Sequence, residues 1–253
     1  MPRQKIQLAN NEIYHLVLRA VGDAIIFNDE NDYYRGIFSI YEFNNKNFVS
    51  IWRRRQQRKA EKSQLKEASL RSPTPQSFAV SETATTPTEE KRDVMVEILA
   101  FAFMPNHIHL LVRQLKNDGI SQFMQKVGGG YANYFNKKYE RKGHLFNQFR
   151  AIHIETNEQL KNVFVYIHTN PISLVEPGWK ENGIKDAKKV IEFLNNYKWS
   201  SYRDYIGEKS FPSVTSRDFF LEVMGWEKGC REAVEDWIKY KKEMKDFGDV
   251  VLE

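Results

Sequence analysis

Residues 94–114 constrain the fold more than any other stretch. The segment VMVEILAFAFM is apolar and β-prone, Pro105-Asn106 supplies a turn, and HIHLLVRQ follows in strand-like alternation. Two antiparallel strands joined by a tight hairpin are the expected result. Successive side chains on a strand point to opposite faces, so His107 and His109 share one face with Leu111 and Arg113, while Ile108, Leu110 and Val112 enter a core. Two imidazoles held side by side on a rigid sheet suit a divalent metal. A solvated strand face would tolerate the same pair, but a buried-looking strand favours a site.

The remaining elements are placed around this hairpin. Residues 13–20 (IYHLVLRA) read as a strand with His15 and Arg19 on one face, and Val21-Gly22-Asp23 turns the chain. Asn28 or Asp29 caps a helix whose apolar positions Tyr33, Tyr34, Ile37, Phe38 and Tyr41 recur at three and four residues. A second helix runs from Ile120, with Phe123, Met124, Val127, Tyr131 and Phe135 at helical spacing, and Gly128-Gly129-Gly130 is expected to weaken or bend it. Residues 143–154 return to strand character. A third helix, capped by Thr156 or Asn157, buries Leu160, Val163, Phe164 and Ile167 until Pro171 stops it. On that helix Tyr166 and Asn170 lie one turn apart, whereas His168 faces away.

Between the first helix and the hairpin the composition changes. Residues 52–71 are crowded with arginine and lysine, and residues 72–92 with Pro, Ser, Thr and Glu. Such a segment buries too little apolar surface to offset its ordering entropy. It is expected to be an insertion at about 46–93, helical at its basic start and disordered beyond. Past Pro177-Gly178, amphipathic helices are expected at 186–195, 216–224 and 232–245. The domain reading is therefore residues 1–205, interrupted by the insertion, followed by a helical extension over 206–253.

The 253 residues carry a net charge of +5, with an isoelectric point near 9.0, a balance that favours a polyanionic partner. One cysteine, Cys230, excludes an intrachain disulfide and fits a reducing compartment. No signal peptide and no membrane span are read, so a soluble cytoplasmic protein, associated with the nucleoid, is expected.

The order strand, helix, strand, His-strand, helix, strand, helix describes an α+β protein, an antiparallel sheet with helices packed on one side. Across such a layer the histidine pair can meet Tyr166 and Asn170. Tyrosine is a weak nucleophile at its free pKa of about 10. It can attack phosphorus once its proton is removed and a metal neutralises and orients the phosphate. Tyrosine-based phosphodiester transfer follows, and it needs no nucleotide cofactor.

The chain resembles the HUH endonucleases in its His-hydrophobic-His motif, and within them the single-tyrosine transposases, closest to the REP-associated tyrosine transposases. The resemblance is carried by YHLVLRA, MPNHIHLLV, YANYFNKKYERKGHLFNQFR, YIHTNPISLVEPG and KWSSYRDY in that order. It implies a ferredoxin-like core, a Mg²⁺ or Mn²⁺ ion, and nicking and rejoining of single-stranded DNA beside a hairpin through a 5′-phosphotyrosine. By resemblance Tyr166 is the nucleophile, His107 and His109 are metal ligands, and Asn170 stands where related transposases carry a glutamine ligand. Arg19, Asn133, Asn136, Lys137, Lys138, Arg141 and Arg150 are the expected DNA contacts, and a monomer or homodimer both remain open. Asparagine is a methylene shorter than glutamine, and the insertion departs from the compact family pattern. A histidine-triad hydrolase would need a third alternating histidine where Leu111 stands, and His153-Ile154-Glu155 does not supply the second motif of a two-histidine phosphoesterase. The alternative from another class is a non-cleaving DNA- or RNA-binding regulator on the same scaffold.

Overall fold

The computed structural model describes residues 7–50, 53, 54, 56, 59, 60, 63, 64 and 92–243. Strands β1 (Ile13–Arg19), β2 (Val96–Met104), β3 (His107–Gln114) and β4 (Arg150–Ile154) form one antiparallel sheet in the order β2-β3-β1-β4. Helix α1 (Glu30–Glu42) follows β1, and α2 (Gly119–Lys138) follows the β2–β3 hairpin. This βαββαβ path with antiparallel strands is the ferredoxin-like arrangement, and the α+β reading holds. Asp29 caps α1 by accepting from the Asp32 amide at 3.0 Å, so a short acceptor sets where the helix begins.

Helices α1 and α2 cover one face of the sheet as expected, over a core built from Leu16, Leu18, Phe101, Phe103, Ile108, Leu110 and Val112. The opposite face is covered too. Helix α3 (Asn157–Thr169) packs there with Leu160, Val163, Phe164 and Ile167, against Leu99, Ala100, Ala102 and Leu111. The physical reason is β2, which is apolar on both sides: a register shift between Ile98 and Ala100 lets Leu99 and Ala100 serve this second core while Ile98 and Phe101 serve the first. Helices α4 (Ala187–Asn196), α5 (Asp218–Met224) and α6 (Trp226–Glu243) join the same second core through Val190, Leu194, Phe220, Leu221, Cys230, Val234 and Ile238.

Three expectations need correction. Helix α2 runs unbroken through its glycines, and a side chain at Gly130 would strike the Phe43 ring. Of the three, Gly130 permits a close approach that a side chain would block, and none of them interrupts the helix. The fourth strand is short: residues 143–149 reach the sheet only through an isolated Ala20–Phe146 bridge. Gly143 adopts a φ of +91°, and Asn136 and Arg141 bind the carbonyls of Gly143 and His144, so this stretch is held as a loop. Helix α6 begins six residues ahead of the expected 232, at Trp226.

Where the insertion leaves and rejoins, its ends meet. The Lys46 amide donates to the Asp93 carbonyl at 2.8 Å, the Lys126 ammonium donates to the carbonyls of Asn45, Lys46 and Asn47, and Asn44 binds the backbone of Met95 and Val96. In its basic stretch, the described residues Arg53, Arg54, Gln56, Lys59, Ala60, Ser63 and Gln64 are helical. The expected disorder of the Pro/Ser/Thr-rich stretch, like the last residues of the C-terminal helix, lies outside the described residues.

Candidate active site

The site is assembled on the α3 side of the sheet from three secondary-structure elements and the turn after α3. Pairing of β1 with β3 sets Val17 opposite His109 and Arg19 opposite His107, so His15, Arg19, His107 and His109 project from one face. Val17 also pairs with Arg150, which places that arginine on the same face. Thr156 caps α3 by accepting from the Gln159 amide at 3.1 Å, and the apolar stripe of the helix then aims Tyr166 at the histidines. The chain passes at Asn170 into a short 3₁₀ turn, Asn170–Leu174, with Pro171 ending the α-helix as its missing N–H requires.

The rings are close. His107 and His109 have centroids 4.8 Å apart at 80°, and the edge-on ring of Tyr166 lies 5.6 Å from His109 and 5.8 Å from His15. Asn170 lies close enough to His107 to act on its ionisation, and His107 Nδ1 lies 2.6 Å from Asn106 Oδ1. Tyr166, the two histidines and Asn170 are thus brought together as the sequence reading expects. His168 is turned away, buried, with its Nε2 2.8 Å from Ser201 Oγ.

Two members of the cluster were not singled out from the sequence. His15 Nε2 sits 3.0 Å from His109 Nδ1, with the rings stacked at 17°. Its place on the Arg19 face of β1 was legible, but the strand order that lays β1 beside β3 was not. Lys180 carries its ammonium 5.9 Å from the centre of the Tyr166 ring. It is positioned by the helical turn Trp179–Asn182, whose Trp179 is buried, and nothing in its local sequence marks it.

Burial decides the charge state of the imidazoles. It pushes His15 down to about 4 and His109 well below the usual histidine value. His107 is lowered to about 4 by burial first and by the Arg19 charge second, with Asn170 opposing. All three are therefore neutral near pH 7, the form that offers a lone pair to a metal. Among the described residues His109 Nε2 is buried and has no hydrogen-bond partner, an unusual condition for a polar atom in a protein interior. That open nitrogen beside His107 and the Asn170 amide fits a divalent ion. Among the described residues no group of three or more His, Cys, Asp or Glu side chains is arranged to hold a metal, so an ion here would rest on two imidazoles and an amide oxygen.

The expected DNA contacts divide. Arg19 and Arg150 are exposed on the histidine face. Asn133 and Lys137 are exposed on α2, which packs on the other side of the sheet. Lys138 is ion-paired with Asp29 at 2.8 Å and Asp32 at 2.6 Å, and Asn136 and Arg141 hold the loop after α2.

Residues 76–170 match the model of the family described as IS200-like transposases, a span that holds His107, His109, Tyr166 and Asn170. The match agrees with the resemblance read from the sequence over those residues, which are somewhat over a third of the chain. Among solved structures, the REP-associated tyrosine transposase bound to a REP hairpin is similar at 12% identity, covering 86% of this chain and 93% of that one with a TM-score of 0.45. A bacterial tRNA(His) guanylyltransferase (Thg1)-like protein in complex with GTP is similar at 11% identity, covering 70% and 74%, with a TM-score of 0.37. No curated protein matches the chain in sequence. Among the described residues no helix is long and apolar enough to cross a membrane.

Proposed function

We propose that the protein is a DNA transposase that nicks and rejoins single-stranded DNA at hairpin-forming repeats, with Tyr166 as its nucleophile. The observation that carries this reading is the convergence at one point of the sheet of Tyr166 with a histidine pair whose His109 Nε2 is open. His107, His109 and the Asn170 amide would hold Mg²⁺ or Mn²⁺, which when bound supplies polarisation of the scissile phosphate.

The residues of the chain do the rest. The Tyr166 oxygen bonds to phosphorus as the bond to the 3′ oxygen breaks. The phenolic proton passes to solvent, the departing 3′ oxygen takes a proton from solvent and leaves as a free 3′-OH, and a 5′-phosphotyrosine remains. Attack by another strand's 3′-OH reverses these steps and rejoins DNA, so bond energy is conserved without a nucleotide. Arg19, Arg150 and Lys180 lend positive charge to the face where the phosphodiester lies, and Asn133 and Lys137 offer exposed donors to the flanking backbone. Because Tyr166 packs against His109 of its own chain, this reading has a monomer cleaving in cis. The protein then acts in the cytoplasm, where its DNA is.

The test is incubation with labelled single-stranded DNA carrying the hairpin-forming repeats that flank its gene, with Mg²⁺ or Mn²⁺ or with EDTA, resolved on a denaturing gel. The expected result is a metal-dependent nick with a protein-linked DNA band, both absent in Tyr166→Phe, a loss of at least about 10³-fold in rate. Tight binding without cleavage would replace this reading with that of a non-cleaving regulator.

A further inference from the structure

We infer that His15 is a positioning residue, whose ring fixes His109 so that the His109 Nε2 lone pair is presented to the site. The inference rests on the metal reading above and deepens it. Both members of the histidine pair are anchored through Nδ1: His107 to the Asn106 amide oxygen at 2.6 Å, and His109 to His15 Nε2 at 3.0 Å. An amide oxygen only accepts, so His107 Nδ1 is the donor and its neutral ring keeps Nε2 free of a proton. The same arrangement in His109 makes Nδ1–H donate to His15 Nε2, and the proton of His15 then sits on its own Nδ1.

The unpartnered atoms fit this assignment. Among the described residues His109 Nε2 and His15 Nδ1 are both buried without a partner. With one hydrogen bond between two neutral imidazoles, one of those nitrogens carries the remaining proton and the other is bare. A proton on His109 Nε2 would close the position facing the site, whereas a proton on His15 Nδ1 leaves it open. Stacking of the rings at 17° with centroids 5.2 Å apart, one from β1 and one from β3, also holds the plane of the His109 ring.

This place is usually taken by a carboxylate or a backbone carbonyl, which orients a metal-bound histidine through its second nitrogen. A neutral imidazole does the same without adding negative charge beside a bound phosphodiester. That suits a face where Arg19 and Lys180 act on His109 and the carboxylate near His107, Asp23, is already paired with Arg19 at 3.4 Å.

Mn²⁺ affinity of the full chain, measured by calorimetry for wild type, His15→Gln and His15→Leu, tests the role. The Gln amide oxygen can stand where Nε2 was and accept from His109, but Leu cannot accept at all. His15→Leu is expected to bind Mn²⁺ about 10–100-fold more weakly, and His15→Gln to recover most of that loss, with circular dichroism confirming that both are folded. In parallel, ¹⁵N-resolved imidazole spectra of the metal-free protein should show His109 protonated at Nδ1 in wild type and His15→Gln, and at Nε2 in a substantial fraction of His15→Leu. Equal Mn²⁺ affinity in folded His15→Leu, or a wild-type His109 protonated at Nε2, would overturn the inference. A wild type that binds no Mn²⁺ would overturn the metal reading instead, and the tautomer spectra would then decide the role of His15 on their own.

Discussion

Each face of the sheet buries a polar cluster, and the two are finished differently. On the α1/α2 side Asp32 is fully buried, and both its oxygens are occupied: Oδ1 accepts from the Tyr134 hydroxyl and the Lys138 ammonium, Oδ2 from the Tyr139 hydroxyl and the Asn28 amide. On the α3 side His15, His107 and His109 are buried too, yet His15 Nδ1 and His109 Nε2 have no partner among the described residues. A buried polar group left open costs stability, so a fold retains one only where something else is gained. The satisfied cluster ties α1 to the end of α2. The unsatisfied one is where the proposed function would put a ligand.

If that contrast is right, substitutions on the two sides should separate stability from binding. The largest effect on stability is expected from Asp32→Ala, which leaves the Tyr134 and Tyr139 hydroxyls and the Asn28 amide without their acceptor and Lys138 with Asp29 alone. Urea unfolding should show a loss of about 2–3 kcal/mol, while the fraction still folded binds Mn²⁺ as wild type does. The pH dependence of this cluster has a definite sign. Burial opposes ionisation of Asp32, but the Lys138 ammonium and the other donors outweigh it and hold the carboxyl below its usual value. A folded pKa below the unfolded one contributes stability that is present above the unfolded value near 4 and is lost as pH falls through the folded value. Thermal melts of wild type should therefore drop as pH is lowered below about 4, and Asp32→Asn should flatten that dependence. Stability that stayed level down to pH 2 would break the comparison.

A smaller loss is expected from Gly36→Ala in α1. A Cβ there would come within 2.5 Å of the Phe103 ring and 2.9 Å of the Phe27 ring, both buried under the helix. Overpacking costs about 1–3 kcal/mol, and the better helix propensity of alanine returns about 1 kcal/mol. A net loss of about 1 kcal/mol in urea unfolding is expected, with cleavage and metal affinity unchanged. A larger effect on cleavage than on stability would mean that the two faces are coupled through the sheet.

How much of this was legible in the chain follows from how local each signal is. The β2–β3 hairpin, the caps at Asp29 and Thr156, and the one-turn spacing of Tyr166 and Asn170 are properties of adjacent residues, and all are found where the sequence places them. The partnership of His15 with His109 crosses 94 residues and depends on β1 lying between β3 and β4, which no periodicity encodes. Lys138 illustrates the converse: its local surroundings suggested a phosphate-binding face, while its actual partners, Asp29 and Asp32, come from a helix more than a hundred residues earlier.

The smallest change in stability should come from the substitution most damaging to the site. In His15→Leu/His109→Leu the hydrogen bond between the rings is removed from both ends, so neither residue is left with an unmatched partner, and the two open nitrogens vanish with it. Replacing a buried polar pair by apolar side chains of similar size is close to neutral, because the lost bond and the lost desolvation cost nearly cancel. The leucines would lie among Leu111 and Val17 on strands already committed to the sheet. Urea unfolding should place the double variant within about 1 kcal/mol of wild type, or above it, while Mn²⁺ binding and DNA cleavage disappear. A loss of several kcal/mol would show instead that the histidine cluster holds the sheet and α3 together as Asp32 holds α1 and α2. The two faces would then differ in composition but not in kind.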